Sequence, residues 1–274
     1  MNLDVVVCAK NRAEFLERVL RQITSEIPFK DLIVIYGTSN DGTKKIAEKY
    51  TSKVFWDGDR GLGAARNLGI RKASSELVAM IDTDVILAKD WYKHLTRHFE
   101  DPKVAAVMGT TIYGFGLVPI QQLWEYWRLF DPGKWGCTNT IFKRDHVLQV
   151  GNFDESIRGA GEDYDLYMRI SAAGYKWVRE RQVLVYHPMN LFEYFKHTGW
   201  WAAATPHMND LIKQVRAHSV FRIYCRLVYQ FLKSFEEGVR LSLRVHVTML
   251  FYSPILEAVR FNARLKALKK ALRS

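Results

Sequence analysis

Short apolar runs alternate with segments of helical periodicity through the first 81 residues, and this alternation restricts the fold more than any other feature. Leu3–Cys8, Leu32–Tyr36, Val54–Trp56 and Leu77–Ile81 read as strands. Between and after them lie the helical patterns. Ala13–Thr24 places Phe15, Val19, Leu20 and Ile23 on one face. Lys44–Tyr50 follows a capping turn at Asn40–Thr43, Gly61–Ala73 opens on a glycine turn, and Trp91–Phe99 is a further helix. Strands alternating with helices of this length predict an α/β fold, a mostly parallel sheet flanked by helices. Ligands of such sheets bind beyond the carboxyl ends of the strands. Asp41, Gly61-Leu62-Gly63 and Asp82-Thr83-Asp84 all follow strands on that edge.

The acid pair is the most chemically pointed of these. If the strand ending at Ile81 continues, Asp82 and Asp84 point the same way, because strand side chains alternate faces. Two carboxylates side by side repel unless a cation lies between them, and oxygen ligands suit Mg²⁺ or Mn²⁺. The triplet alone is a common chance occurrence, equally compatible with a surface turn.

The 274 residues allow one large domain or a domain with an appendage, and 48% hydrophobic content suffices for a core. Cys8, Cys137 and Cys225 lack metal-ligand spacing and fit a reducing compartment. Residues 1–9 enter an apolar strand without a basic leader, so no secretory signal is read. Val104–Trp124 is uncharged but broken by Gly and Pro, and Val245–Leu256 is too short to span, so no transmembrane helix is expected.

Charge is uneven. Residues 190–274 carry 14 Lys/Arg against 5 Asp/Glu, which is most of the net +11. From Val220, Phe221, Tyr224, Leu227, Val228, Phe231, Leu232 and Phe235 recur at helical spacing among Arg222, Arg226 and Lys233. Phe261, Leu265, Leu268 and Leu272 repeat the pattern, and the Lys266–Arg273 segment is the better candidate for a membrane contact. These helices read as a basic amphipathic extension over 191–274, following a domain over 1–190. An anionic membrane surface is the expected partner, with a homo-oligomer contact as the alternative; Trp200 and Trp201 would sit at headgroup level.

The middle of the chain holds Trp135-Gly136-Cys137-Thr138-Asn139, then Gly161-Glu162-Asp163-Tyr164-Asp165 opening a helical pattern, and a last strand Val183–Tyr186 ending at His187. In this order the motifs resemble the family 2 glycosyltransferases, over roughly residues 3–190. Val5–Arg12 looks like the family's opening strand, V-V-I-P-T-Y-N-R. Ser39–Thr43 matches its S-T-D-G-T turn, and Gly61–Ile70 its G-L-S-A-A-R-N-x-G-I helix. Asp82-Thr83-Asp84 takes the D-x-D place. Gly136, Asn139 and Phe142-Lys143-Arg144 resemble G-x-N-x-x-F-R-R, Gly161–Leu166 resembles G-E-D-x-D-L, and His187 takes the late histidine's place.

The resemblance implies a GT-A fold and inverting transfer of a sugar from a nucleotide-diphosphate sugar to a hydroxyl acceptor, a glycan or lipid-linked glycan. It implies Asp84 and His187, with Asp82, as ligands of Mn²⁺ or Mg²⁺, and Asp163 as general base. Ala9, Lys10, Asp41, Gly63, Arg66, Asp82 and Thr83 are the expected donor side. Trp135, Gly136, Asn139 and Glu162 are the expected acceptor side, with Trp124 and Trp127 as further stacking surfaces. Asp41 reads equally well as a turn and cap residue, and Arg66 as a solvated helix arginine. Where the family commonly has an acid that contacts uracil, this chain has Tyr36-Gly37, so the sequence leaves the donor base open. A cytoplasmic enzyme at the membrane periphery is expected. Two alternatives remain: a polyprenyl-phosphate sugar synthase, and a nucleic-acid-binding protein using the basic tail. The second leaves the acid motifs unexplained and no nucleic-acid module is recognisable, so nucleic acid is not an expected partner.

Overall fold

A computed structural model of the chain describes residues 2–114, 135–157, 160–190, 192–193, 196–197, 214–215, 217, 219–245 and 249–273. Trp124, Trp127, Trp200 and Trp201 lie outside the described residues. The chain divides into two compact units.

The first unit holds a seven-stranded sheet. Its strands are β1 (Leu3–Ala9), β2 (Asp31–Tyr36), β3 (Val54–Trp56), β4 (Leu77–Ile81), β5 (Val104–Gly114), β6 (Asn139–Lys143) and β7 (Lys176–Pro188), in the order β3-β2-β1-β4-β6-β5-β7. β1 pairs in parallel with both β2 and β4, and β2 with β3. β6 then runs antiparallel to β4 and to β5. The helices are α1 (Ala13–Glu26), α2 (Thr43–Tyr50), α3 (Leu62–Lys72), α4 (Trp91–Thr96), α5 (Arg144–Gln149) and α6 (Glu162–Ala172).

Strand alternation sorts the core. Val5 and Val7 of β1 pack with Leu16, Val19, Leu20 and Ile23 of α1 on one face. Val6 joins Ile33, Ile35, Ala65 and Ile70 on the other. α3 lies so close to the sheet that a Cβ at Gly69 would fall 2.3 Å from Cγ1 of Val6, so only glycine fits there. One acid is built into this sheet: Asp4 accepts hydrogen bonds from Ser74 N–H (2.6 Å), Ser75 N–H (2.8 Å) and the Ser75 hydroxyl (2.8 Å).

The sequence expectation was shorter than the structure at β7. Arg179-Glu180-Arg181 interrupts the apolar pattern, yet the strand runs from Lys176. Glu180 is buried there because Arg97 (2.5 Å) and His98 (2.9 Å) pair with it. The helix predicted over Trp91–Phe99 tightens into a 3-10 turn at Arg97–Glu100.

The second unit holds α7 (Val220–Val245) and α8 (Met249–Ala271), which pair as a hairpin with the Phe231 and Phe261 rings 4.7 Å apart. Ala267, Leu268 and Ala271 of α8 are buried, while the large exposed apolar residues lie mostly on α7. Among the described residues no helix is long and apolar enough to cross a membrane.

Candidate active site

The site forms at the carboxyl edge of β1, β2, β3 and β4, where the polar residues follow the strands. β4 ends at Ile81, so Asp82, Thr83 and Asp84 sit in a turn beyond it rather than in the strand. Alternation therefore does not govern them, and the two acids take different partners. Asp82 N–H donates to the Thr138 carbonyl (2.9 Å), and its carboxylate faces the Arg66 guanidinium at 3.4 Å. Asp84 meets His187 Nε2 at 3.3 Å and Arg12 at 3.8 Å. A two-way backbone bridge between Ile86 and Tyr186 carries the end of β7, and with it His187, to this turn. Burial raises the Asp84 carboxyl, but the hydrogen bond and charge of His187 and the charge of Arg12 leave it below the usual range.

Arg66 on α3 is buried and forms an ion pair with Glu162, the first residue of α6. The alternative of a solvated arginine is corrected: its guanidinium is held between Glu162 and Asp82 inside the protein. The neighbouring Asn67 bonds both the N–H (2.9 Å) and the carbonyl (2.9 Å) of Phe153, and Gly63 leaves room for the Asp154 carbonyl, 3.3 Å from where a Cβ would be. The Gly63–Asn67 stretch of α3 is thus a seam against the segment that leads to α6.

The three acids of α6 separate as a helix demands, about 100° per residue. Glu162 turns inward to Arg66, leaving Oε2 without a hydrogen-bond partner among the described residues. Asp165 pairs with Arg169 on its own helix. Asp163 lies over Gly136, where a Cβ would come 3.3 Å from Oδ2, and its Oδ1 accepts the Tyr164 N–H at 2.8 Å. Burial pushes the Glu162 carboxyl up; Arg66 opposes this and Asp163 adds to it. Burial also raises the Asp163 carboxyl, against Arg66 and with Asp82.

One acceptor-side expectation is overturned. Asn139 is 0% exposed. Its Oδ1 accepts from Gly109 N–H (2.8 Å) and the Trp91 indole (3.2 Å), and its Nδ2 donates to Thr111 (2.9 Å). Every polar atom of the amide is used inside the sheet, so it has nothing left for a sugar. Trp135 stacks on Tyr167 with centroids 4.6 Å apart, and Arg179 lies 5.0 Å from its ring centroid.

Residues 4–160 match the model of Glycosyl transferase family 2. This chain belongs to that family.

As a family 2 glycosyltransferase it is similar to the glycosyltransferase AglE of Haloferax volcanii, 25% identical over 209 residues that cover 69% of this chain and 68% of that protein. It is similar also to the amylovoran biosynthesis glycosyltransferase AmsE of Erwinia amylovora, 22% identical over 208 residues, 70% of this chain and 77% of that protein. The mannosyltransferase of Pyrobaculum calidifontis, solved with GDP-mannose and Mn²⁺, shares the fold at a TM-score of 0.64 and 18% identity, covering 98% of this chain and 87% of that one. The glycosyltransferase has the GT-A fold.

On the side of β1 and β2, Ala9 is buried and its carbonyl accepts the Gly37 N–H (3.0 Å). Lys10 is exposed and pairs with Asp59 at 2.7 Å. Asp41 caps rather than projects: it accepts from Ala13 N–H (2.9 Å) at the start of α1 and from Thr43 N–H (3.1 Å) at the start of α2. Sequence reasoning missed two residues here. Arg12 faces Asp84. Asp59, in the left-handed region at φ +54°, brings its carboxylate to Lys10 and to the N–H and hydroxyl of Thr38. Lys10 and Thr38 hold that carboxyl down at about 2. The signal was the turn Asp57-Gly58-Asp59 directly after β3, on the same edge as Tyr36-Gly37.

Among the described residues no group of three or more His, Cys, Asp or Glu is gathered as a metal cage. Asp84, in the turn after β4, and His187, at the end of β7, bring a carboxylate oxygen and an imidazole nitrogen together at 3.3 Å. That donor pair fits Mn²⁺ or Mg²⁺ when the remaining positions come from phosphate oxygens and water.

Proposed function

We propose that this glycosyltransferase is metal-dependent and inverting, and that it moves a sugar from a nucleotide-diphosphate sugar to a hydroxyl of a glycan or lipid-linked acceptor. The single observation that carries the reading is the Arg66 bridge. It joins Asp82, beside the Asp84–His187 pair, to the helix start that bears Asp163.

In this reading Asp84 and His187 would hold a divalent ion, which would supply the positive charge that makes the diphosphate a better leaving group. Arg66 and Asp82 fix the position of that turn relative to α6. Asp163 takes the proton from the acceptor hydroxyl as its oxygen attacks the anomeric carbon. The carbon–oxygen bond to the diphosphate breaks on the opposite face, its electron pair leaves with the phosphate, and the configuration inverts. Glu162 positions Asp163 through Arg66 rather than touching the acceptor. Trp135 and Gly136 flank the acceptor's place. Ala9, Lys10, Thr38 and Asp59 receive the nucleoside, and Gly63 and Thr83 shape the floor of the donor site. A catalytic domain over 1–190 and a helical extension over 191–274 complete the organisation, with peripheral attachment to the cytoplasmic face of a membrane.

The lipid-linked acceptor draws support from a relative. The glucosyl-dolichyl phosphate glucuronosyltransferase of Haloferax volcanii is 24% identical over 256 residues, 77% of this chain and 78% of that protein. Its name gives a glucosyl-dolichyl phosphate, a lipid-linked sugar, as what it acts on.

The test is a panel of uridine, guanosine and thymidine diphosphate sugars, with and without Mn²⁺, read as release of nucleoside diphosphate on a lipid-phosphate-linked sugar. Turnover with one base, dependent on the ion and lost in Asp163→Asn, is expected. Absence of thermal stabilisation by every nucleotide would refute the donor site.

A further inference from the structure

α7 carries a line of exposed apolar residues. Phe221, Leu232 and Leu243 are 74%, 58% and 66% exposed. They stand eleven residues apart, close to three whole turns each, so they form a line along the helix. Cys225, Val228 and Val239 fall on the same line, and the exposed Tyr224 and Tyr229 border it. About a quarter-turn away runs a second line, Arg222, Arg226, Lys233, Arg240 and Arg244, at spacings of four and seven. The rest of the helix is different again: Ile223, Gly238 and Ser242 are buried, and Phe231 meets Phe261 of α8. The acids of α7 are Glu236, tied to Arg240 at 3.0 Å, and Glu237.

We propose that this outward face of α7 lies flat on an anionic lipid surface, with the apolar line in the acyl boundary and the basic line at the lipid phosphates. Charge selects the occupant. An apolar line alone would suit any hydrophobic partner. Five cations in parallel with it, along a helix of 26 residues, match a plane of repeating phosphates. The helix is too polar to span and long enough to lie in the interface. The proposal deepens the lipid-linked acceptor reading by naming the surface that brings the enzyme to it, and binding is read without turnover so that each can fail separately.

The full chain is sedimented with phosphatidylcholine vesicles and with mixed phosphatidylcholine–phosphatidylglycerol vesicles. Pelleting with the anionic vesicles alone is expected. It should fall roughly tenfold or more in Leu232→Ser/Leu243→Ser and in Arg222→Ser/Arg226→Ser/Lys233→Ser. Helicity by circular dichroism certifies that the variants fold. A readout on the unmutated protein stands beside them: Cys225 is the exposed cysteine and lies on the apolar line. An environment-sensitive dye on it should shift to the blue with anionic vesicles. No shift, or folded variants that pellet as well as the parent, overturns the proposal. A concentration-dependent dimer lost in Leu232→Ser, without vesicle binding, gives the face to a second copy and likewise overturns it.

Discussion

Arg66 and Glu162 form a buried ion pair that joins α3 to α6, and the two residues are 96 positions apart in sequence. Removing one member leaves the other buried without its partner, which typically costs about 3–5 kcal/mol. Arg66→Met should lower the unfolding free energy by that order in denaturant titration. Arg66→Met with Glu162→Leu should recover a substantial part, since an apolar pair leaves no uncompensated charge. Activity should be lost in both, because Asp82 and α6 no longer share a partner.

Asp163 is placed where ionisation works against folding. Its carboxyl is raised, so the folded state favours the protonated form. The ionised form therefore lowers stability progressively as pH rises from the ordinary carboxylate value through the raised one. Asp163→Asn should melt higher than the parent at pH 8 and equal to it below the ordinary carboxylate range. The same variant should lose about 10²–10⁴-fold in transfer while still binding the donor nucleotide.

His187 and Asp84 meet at 3.3 Å. His187→Ala should weaken nucleoside diphosphate binding in Mn²⁺ and leave binding in EDTA unchanged, as measured by calorimetry. Equal weakening under both conditions would assign His187 to the fold alone.

Asp59 supplies a carboxylate at Thr38, next to the position where Tyr36-Gly37 lacks one. A carboxylate there can accept N–H groups from a base edge. Asp59→Asn introduces a donor and should change the order of preference among uridine, guanosine and thymidine diphosphates in competition assays, with folding unaffected.

Asp4 contributes to the acid limb of stability. Burial raises its carboxyl, but hydrogen bonds from Ser74 and Ser75 outweigh this and leave it depressed. The stability it contributes is complete above the ordinary carboxylate range and disappears as pH falls through the lower folded value. Asp4→Asn should lose about 1–3 kcal/mol at pH 7. The gap to the parent should narrow as pH falls below the ordinary carboxylate range.

The parallel half of the sheet was legible because β1, β2, β3 and β4 are apolar runs bounded by turns, and nothing tertiary contradicts them. β7 was legible only in its last part, since a buried Glu180 needs partners from the 3-10 turn after α4 that no local pattern announces. The same reason hid the roles of Asn139 and Arg66. Their residue types suit a sugar or a phosphate, and only long-range contacts reveal that both are consumed inside the protein. Asp59 escaped because a polar turn after a short strand carries no signature of where its left-handed backbone will aim a carboxylate.

The reversal between β4 and β6 has a consequence for biosynthesis. β1 to β4 come from adjoining stretches and can pair as they leave the ribosome, whereas Thr138 must arrive before the Asp82 backbone finds its acceptor. A nascent chain thus holds the donor-side residues of β1 to β4 well before α6 brings Asp163 and β7 brings His187. In the proposed assignment, an unfinished molecule lacks the group that activates an acceptor, and so does not turn over sugar nucleotides during its own synthesis.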